Sequence, residues 1–153
     1  MSPSDLALCA LSVLDMRDVL SEEGARVRSE LIATACDSEV EVEDSDCPVV
    51  LATLWGLETA FTFSLTPGSR HACGPVQVVP TPRTGTCSEL REPVTGLRAG
   101  WRVWLKKRLI AGRSVERAFR FYNGHPRNAH RYGERGVRLY KAVMARCAEG
   151  GVP

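Results

Sequence analysis

Glu58 closes an apolar run, Val49-Val50-Leu51-Ala52-Thr53-Leu54-Trp55-Gly56-Leu57-Glu58-Thr59, and is the one charge in it. A carboxyl held in apolar surroundings is costly to ionise, so it keeps its proton to higher pH. A carboxyl that is still protonated near neutral pH can act as a general acid. Two further clusters carry polar groups suited to a ligand. Gly74-Pro75-Val76-Gln77-Val78 begins sixteen residues after Glu58, and Phe121-Tyr122-Asn123-Gly124 lies near the end of the chain. Taken singly, each has a plainer reading. A glutamate at a helix end often faces water, and a loop glutamine is commonplace. Their order and spacing give them weight together.

Glu58-Thr59, then Gly74-Pro75-Val76-Gln77, then Tyr122-Asn123-Gly124, resemble in order and interval the motifs of the lytic transglycosylase and goose-type lysozyme family. The resemblance covers about residues 25–147. It implies that Glu58 is the catalytic acid and that Gly74, Val76 and Gln77 line a sugar groove beside it. It also implies that Tyr122 and Asn123 support the acid and hold substrate. Thr59 stands where the family usually has serine and keeps the hydroxyl. Pro75 and Val76 replace a commoner Leu-Met, and His125-Pro126 replaces the small residue after Asn-Gly.

The chemistry so implied is cleavage of the β-1,4 bond between N-acetylmuramic acid and N-acetylglucosamine in peptidoglycan. With one carboxylate the expected product is a 1,6-anhydro sugar. A hydrolytic muramidase is the alternative and needs a second carboxylate. Between residues 59 and 115 that second group would be Glu89 or Glu92. No cofactor is expected. His71, Cys73, His125 and His130 have a spacing too generic for a metal site.

These residues must be placed by a fold, which the patterning describes as mainly α: a lysozyme-like single domain over 1–153 with a buried central helix and an irregular or short-stranded active-site loop region. Ser4 is expected to cap a first, extra helix over about 5–20, with Leu8, Leu11, Leu14 and Val19 inward. Ser21 opens a second over about 22–36, with Val27, Leu31 and Ala35 on its inner side. The acidic stretch 37–46 reads as a solvated loop or weak edge strand. Asp46, as a capping carboxylate, and Pro48 start the central helix over about 48–59, apolar all round. Residues 62–95, rich in Pro, Gly, Thr and Ser, read as loop. A helix over about 97–111 buries Leu97, Trp101, Trp104, Leu105 and Leu109. Ser114 caps another with Val115, Ala118, Phe119 and Tyr122 inward. The last, about 134–148, is expected to bury Val137, Tyr140, Met144 and Cys147.

Composition sets the boundaries. With 153 residues, 44% hydrophobic and 25% charged, the chain is long enough for one cored domain. The net charge of +2 hides a split: residues 1–46 carry 12 acids and 3 bases, and residues 47–153 carry 6 acids and 17 bases. Either the halves neutralise each other on folding, or a basic face meets an anionic polymer. A basic helical nucleic-acid-binding protein using Arg98 to Arg146 is therefore a second class of reading. It leaves Glu58 without a role, so the expected partner is the peptidoglycan glycan strand, not nucleic acid. A catalytically dead wall-binding or virion component is a third. A monomer without membrane insertion is expected. The six cysteines fit no zinc pattern. Cys36 and Cys47 bracket the acidic stretch, Cys73 and Cys87 bracket a Pro/Gly-rich loop, and both pairs suit disulfides if the protein works outside the cytoplasm. Residues 6–14 are apolar but lack a basic flank, so they read as helix and not as a secretory signal. The expected site of action is the cell wall, in the periplasm or outside the cell. Phage lysis, virion delivery or a non-Sec route would then bring the protein there.

Overall fold

The computed structural model describes residues 1–37, 46–64, 71–124 and 127–148. These are mainly helical, in the order α1 (Pro3–Leu14), α2 (Glu22–Asp37), α3 (Cys47–Thr59), α4 (Cys87–Arg91), α5 (Pro93–Ile110), α6 (Val115–Asn123) and α7 (Ala129–Val143), with a closing π-helical turn, Met144–Ala148. Extended structure among the described residues is limited to two isolated antiparallel bridges, Cys73 with Val78 and Thr81 with Gly85. The acidic stretch 38–45 and the His125-Pro126 pair lie outside the described residues.

α3 is the axis of the fold. Every residue from Cys47 to Trp55 is buried, as expected of a helix with no polar face. α1, α2, α5 and α7 all pack against it. The core around it is built from Leu51, Leu54, Trp55, Leu97, Trp101, Trp104 and Phe119. Trp104 and Phe119 stack at 4.5 Å between ring centroids, and Phe119 reaches Tyr132 at 6.3 Å.

Several element ends differ from the expectations, each for a local reason. α1 starts at Pro3, capped by Ser2, whose hydroxyl accepts from the Asp5 amide at 3.1 Å. Ser4 is thus inside the helix. Asp15 ends it early, taking the Val19 and Leu20 amides on its carboxylate. The buried face is Ala7, Ala10 and Leu11, while Leu8 and Val19 are exposed. In α2 the inner residues are Ser29, Ile32, Ala35 and Cys36, and Val27 is exposed. α5 begins at Pro93, four residues before the expected start, because the Glu92 carboxylate caps the Val94 and Thr95 amides. Leu109 near its far end is exposed. The 62–95 stretch also holds α4, begun by a Thr86/Glu89 capping box. α7 begins at Ala129, and its buried residues are Gly133, Gly136 and Val143.

Asp46 occupies the residue before α3, but its side chain does not cap the helix. It is buried and accepts instead from Arg108 at 2.9 Å and from the Tyr140 hydroxyl at 2.7 Å. One carboxylate thereby joins the start of α3 to the end of α5 and the last turn of α7. It also pairs the acidic half of the chain with the basic half.

All six cysteines are in disulfides: Cys9–Cys147, Cys36–Cys47 and Cys73–Cys87. Cys9–Cys147 spans 138 positions and ties α1 to the closing turn. Opening so long a loop should lower stability by about 2–5 kcal/mol. Urea denaturation of Cys9→Ser/Cys147→Ser against the parent, both under oxidising conditions, checks this. A loss below about 1 kcal/mol would mean that packing alone seats α1.

Candidate active site

Glu58 sits in the last turn of α3, and the chain leaves that helix through an uncommon bend. Ala60 and Phe61 both have positive φ, 50° and 65°, a region that residues with side chains enter only when their surroundings hold them there. Several contacts hold them. The Ala60 and Phe61 amides bond back to the Gly56 and Trp55 carbonyls. The Phe61 ring lies where Gly56 lacks a Cβ. The Trp55 indole N–H donates to the Thr62 carbonyl at 2.6 Å. Arg28 donates through Nε to the Phe61 carbonyl at 2.7 Å and lies over the Phe63 ring at 4.6 Å. Burial lowers the pKa of that guanidinium.

The second wall is a tight turn closed by paired Cys73–Val78 backbone hydrogen bonds of 2.9 and 3.0 Å. Gly74 has φ 83° and packs on the Leu90 carbonyl, where a Cβ would collide. Thr59 Oγ1 donates to the Pro75 carbonyl at 2.8 Å, and the Tyr122 hydroxyl donates to the Val76 carbonyl at 2.7 Å. Two hydroxyls, one from α3 and one from α6, therefore clamp the turn from opposite sides. α5 backs it: Gly100 faces Val76 and the Tyr122 hydroxyl with no room for a methyl group. The Gln77 side-chain amide donates to the Gly74 carbonyl at 2.9 Å and to Ser64 Oγ at 3.0 Å. Its NH₂ group braces the turn, which is a more structural role than lining a groove. Cys73–Cys87 closes the loop that begins with this turn.

Glu58, Thr59, Gly74, Val76, Gln77 and Tyr122 are thus brought together around one helix end. Asn123 is partly buried and ends α6, where Gly124 follows in the left-handed region. Cys36–Cys47 joins α2 to the opposite end of α3. The residue that sequence reasoning missed is Tyr132. It reaches the site from α7, where Gly133 and Gly136 let that helix pack tightly on Arg120 and Phe119 of α6. The signal was a tyrosine beside a Gly-x-x-Gly spacing, Tyr132-Gly133-Glu134-Arg135-Gly136.

The carboxyl of Glu58 is raised from 4.5 to about 7. Removal from water is the dominant cause, and the nearby Tyr132 hydroxyl pulls it partly back down. That hydroxyl is buried and makes no hydrogen bond of full geometry among the described residues, yet the carboxyl lies within its reach. Burial, and next the Glu58 charge, push the phenols of Tyr122 and Tyr132 well above their usual range. Both therefore stay protonated, each with one O–H to donate, and Tyr122 gives its own to the Val76 carbonyl. Glu89 and Glu92 serve as helix caps, accepting from the Thr86, Val94 and Thr95 amides. Hydrogen bonding holds both carboxyls below the usual range, from the Thr86 amide first for Glu89 and from the Thr95 side chain first for Glu92.

No protein-family model, curated protein or solved structure matches the chain.

Tyr132→Phe removes the group that lowers the Glu58 pKa, so the carboxyl should titrate above its parental value. ¹³C NMR titration of the glutamate carboxyls checks this, and a parental Glu58 in the ordinary glutamate range would contradict the site as described.

The raised pKa also ties stability to pH. The native state holds a proton that the unfolded chain releases near pH 4.5, so this contribution is intact below about 4.5 and is lost as pH rises through about 7. Glu58→Gln carries no such loss. By denaturant unfolding it should gain about 1–3 kcal/mol on the parent between pH 5 and pH 8.

Proposed function

We propose that this chain is a lysozyme-like, peptidoglycan-degrading enzyme, a lytic transglycosylase in which Glu58 is the single acid and base. The observation that carries this reading is the Glu58 carboxyl itself, with a pKa raised to about 7 beside a clamped backbone turn and two phenol donors. A group with that pKa is protonated often enough to give its proton and basic enough to take one back.

Glu58 gives its proton to the oxygen of the bond between N-acetylmuramic acid and N-acetylglucosamine as that bond breaks. The sugar's own 6-hydroxyl oxygen bonds to the anomeric carbon, and the Glu58 carboxylate takes the hydroxyl's proton. One bond forms as one breaks, the enzyme regains its starting state, and no water is consumed. The Thr59 and Tyr122 clamps hold the backbone of the turn toward the substrate, and Tyr132 steadies the carboxylate when it forms. The capping roles of Glu89 and Glu92 favour the one-carboxylate route over a hydrolytic muramidase. Three disulfides favour an oxidising compartment such as the periplasm or cell exterior. Delivery by phage lysis, by a virion or by a non-Sec route fits that compartment.

The nucleic-acid reading loses support from α5, where Arg98 donates to the Thr34 carbonyl and Arg108 pairs with Asp46. Those two side chains hold the helices together instead of facing a polyanion.

Glu58→Gln keeps the size and hydrogen-bonding capacity of the side chain but removes its transferable proton. It should fold, and lose at least the ~10²–10⁴ in rate that acid–base assistance supplies. Turbidity loss of purified peptidoglycan, with mass spectrometry of the products, is the measurement. Parental enzyme should release 1,6-anhydro-muropeptides. Reducing ends would keep Glu58 but move the enzyme to the muramidase side, and near-parental lysis by Glu58→Gln would falsify the catalytic reading altogether.

A further inference from the structure

Arg28 is a charge in a place where a charge needs a reason. It lies in the first half of α2 and is half-buried. The acids at the start of its own helix, Glu22 and Glu23, pair with Arg26 instead. Among the described residues the Arg28 guanidinium meets two carbonyls and two rings, and no carboxylate. Nε donates to the Phe61 carbonyl at 2.7 Å, and Nη1 donates to the Gly24 carbonyl at 3.0 Å. The planar group lies 4.6 Å from the Phe63 ring and 5.7 Å from the Trp55 ring. One donor thus turns back along α2, while the other crosses to the segment that leaves α3. A lysine carries its donors on one nitrogen and has no flat face, so it cannot reproduce both contacts against an aromatic ring.

The segment that Arg28 holds, residues 60–64, joins Glu58 to the other wall of the site. Ala60, Phe61 and Ser64 all have positive φ, and such a path is kept only where the surroundings enforce it. The Ala60 and Phe61 amides are tied to carbonyls of α3. The Thr62 carbonyl accepts from the Trp55 indole at 2.6 Å and from the Thr59 hydroxyl at 3.2 Å. Ser64 Oγ accepts from the Gln77 amide of the 74–77 turn. These fastenings come from α3 itself or from the turn. The Phe61 carbonyl and the Phe63 ring are held from α2, by Arg28. At the other end of α3, Cys36–Cys47 ties α2 to the helix start. α2 is therefore strapped to α3 at both ends and gives Arg28 a fixed base. The charge of Arg28 does not reach the acid directly. Among the described residues, the titratable groups that interact with Glu58 are Tyr122 of α6 and Tyr132 of α7, with Arg135 of α7 acting on Tyr132; no charged group of α1, α2 or α5 is among them.

We propose that Arg28 is a positioning residue for the Glu58 acid, acting through the Phe61 carbonyl and the Phe63 ring and not through its charge. It fixes the strained exit of α3, and that exit fixes where the last turn of the helix puts the carboxyl. Without Arg28 the Ala60-Phe61 bend relaxes toward ordinary backbone, the last turn of α3 frays, and the carboxyl gains water. The Ser64–Gln77 contact loosens in the same movement, so both walls of the site lose register together. Proton transfer suffers steeply from such misplacement, because donor and acceptor must meet within hydrogen-bond reach. The inference rests on the acid role proposed for Glu58, whereas the placement of the carboxyl is measurable whether or not the chain is an enzyme.

The test compares Arg28→Lys, which keeps the charge, and Arg28→Met, which keeps an unbranched apolar stem, with the intact oxidised parent. ¹³C titration of the Glu58 carboxyl is the first readout. Both variants should move it from about 7 toward the ordinary value of 4.5, and lysine should rescue little. Cys9→Ser/Cys147→Ser, which loosens the molecule far from the site, should leave the Glu58 titration where it is. Kinetics on a soluble peptidoglycan fragment is the second readout. A carboxyl made ten times more acidic is protonated about one tenth of the time at pH 7 instead of about half, so kcat there should fall about fivefold or more, with the alkaline limb of the rate profile moved to lower pH. KM should stay within about twofold, because Arg28 does not meet the substrate. If Arg28→Met fails to fold, Arg28→Lys alone decides. Three results would overturn the inference: Arg28→Lys keeps the parental Glu58 titration, the distant double cysteine variant shifts that titration as much, or KM rises while kcat holds. A parent that shows the raised Glu58 titration, lost in Arg28→Lys, but no lysis removes the enzymatic reading and leaves Arg28 as the residue that places the carboxyl.

Discussion

The structure turns on keeping one carboxyl out of water at the end of a buried helix. Ionising Glu58 in that place is unfavourable enough to move its pKa to about 7, and only a rigid surround can sustain the penalty. A loose helix end would let the side chain swing into solvent and recover an ordinary pKa. The contacts beyond Glu58 prevent this. Arg28 pins the strained Ala60-Phe61 bend, Trp55 ties down Thr62, and Thr59 reaches across to the Pro75 carbonyl. Each of these binds backbone, so the shape of the site is set by main-chain atoms that substitution of surface residues does not disturb.

The same constraint explains why the helices approach so closely on one side of the molecule. α5 meets the 74–76 turn at Gly96 and Gly100, and α7 meets α6 at Gly133 and Gly136, with no space at any of them for a methyl group. Close approach brings the Tyr122 hydroxyl to the Val76 carbonyl and carries Tyr132 to the carboxyl. At the other end of α3, Asp46 joins three helices through Arg108 and Tyr140. The central helix is therefore anchored at both ends by polar groups, while its middle is held by apolar packing alone.

Much of this was legible in the residues. The all-apolar run of α3, the Ser114 cap and Asn123-Gly124 stop of α6, and the bracketing of the 73–87 loop by cysteines are local signals, and local signals survive folding. What was not legible depended on contacts between distant segments. Asp46 looks like a cap because aspartate commonly is one, and nothing in the neighbouring residues reveals that Arg108 and Tyr140 will claim it. Leu8 and Val19 looked like core residues because they are apolar, but α1 ends early and packs through alanines. The role of Tyr132 beside the carboxyl is not local either, because it requires α7 to lie against α6 at glycine contacts. The start of α5 was missed although its signal, Glu92 before Pro93, was local, because the prolines around it suggested loop.

The loop between Cys73 and Cys87 shows how a small chain can place several features on irregular backbone. Unconstrained, a loop of about fifteen residues would be too mobile to hold carbonyls beside an acid. Here the disulfide limits its freedom, two bridges fold it into successive turns, and side-chain hydroxyls from Thr59, Tyr122, Thr81 and Thr84 fasten it at intervals. Irregular backbone with satisfied hydrogen bonds can be as rigid as a strand, and it can turn more sharply. That allows residues 74–77 to face α3 and α6 while Arg83, a few positions on, faces α5. A regular strand would have sent both sets of side chains in directions fixed by its alternation. Cys73, Val76 and Val78 are buried in the core, so apolar packing, the disulfide and the hydroxyl contacts together give the loop its order.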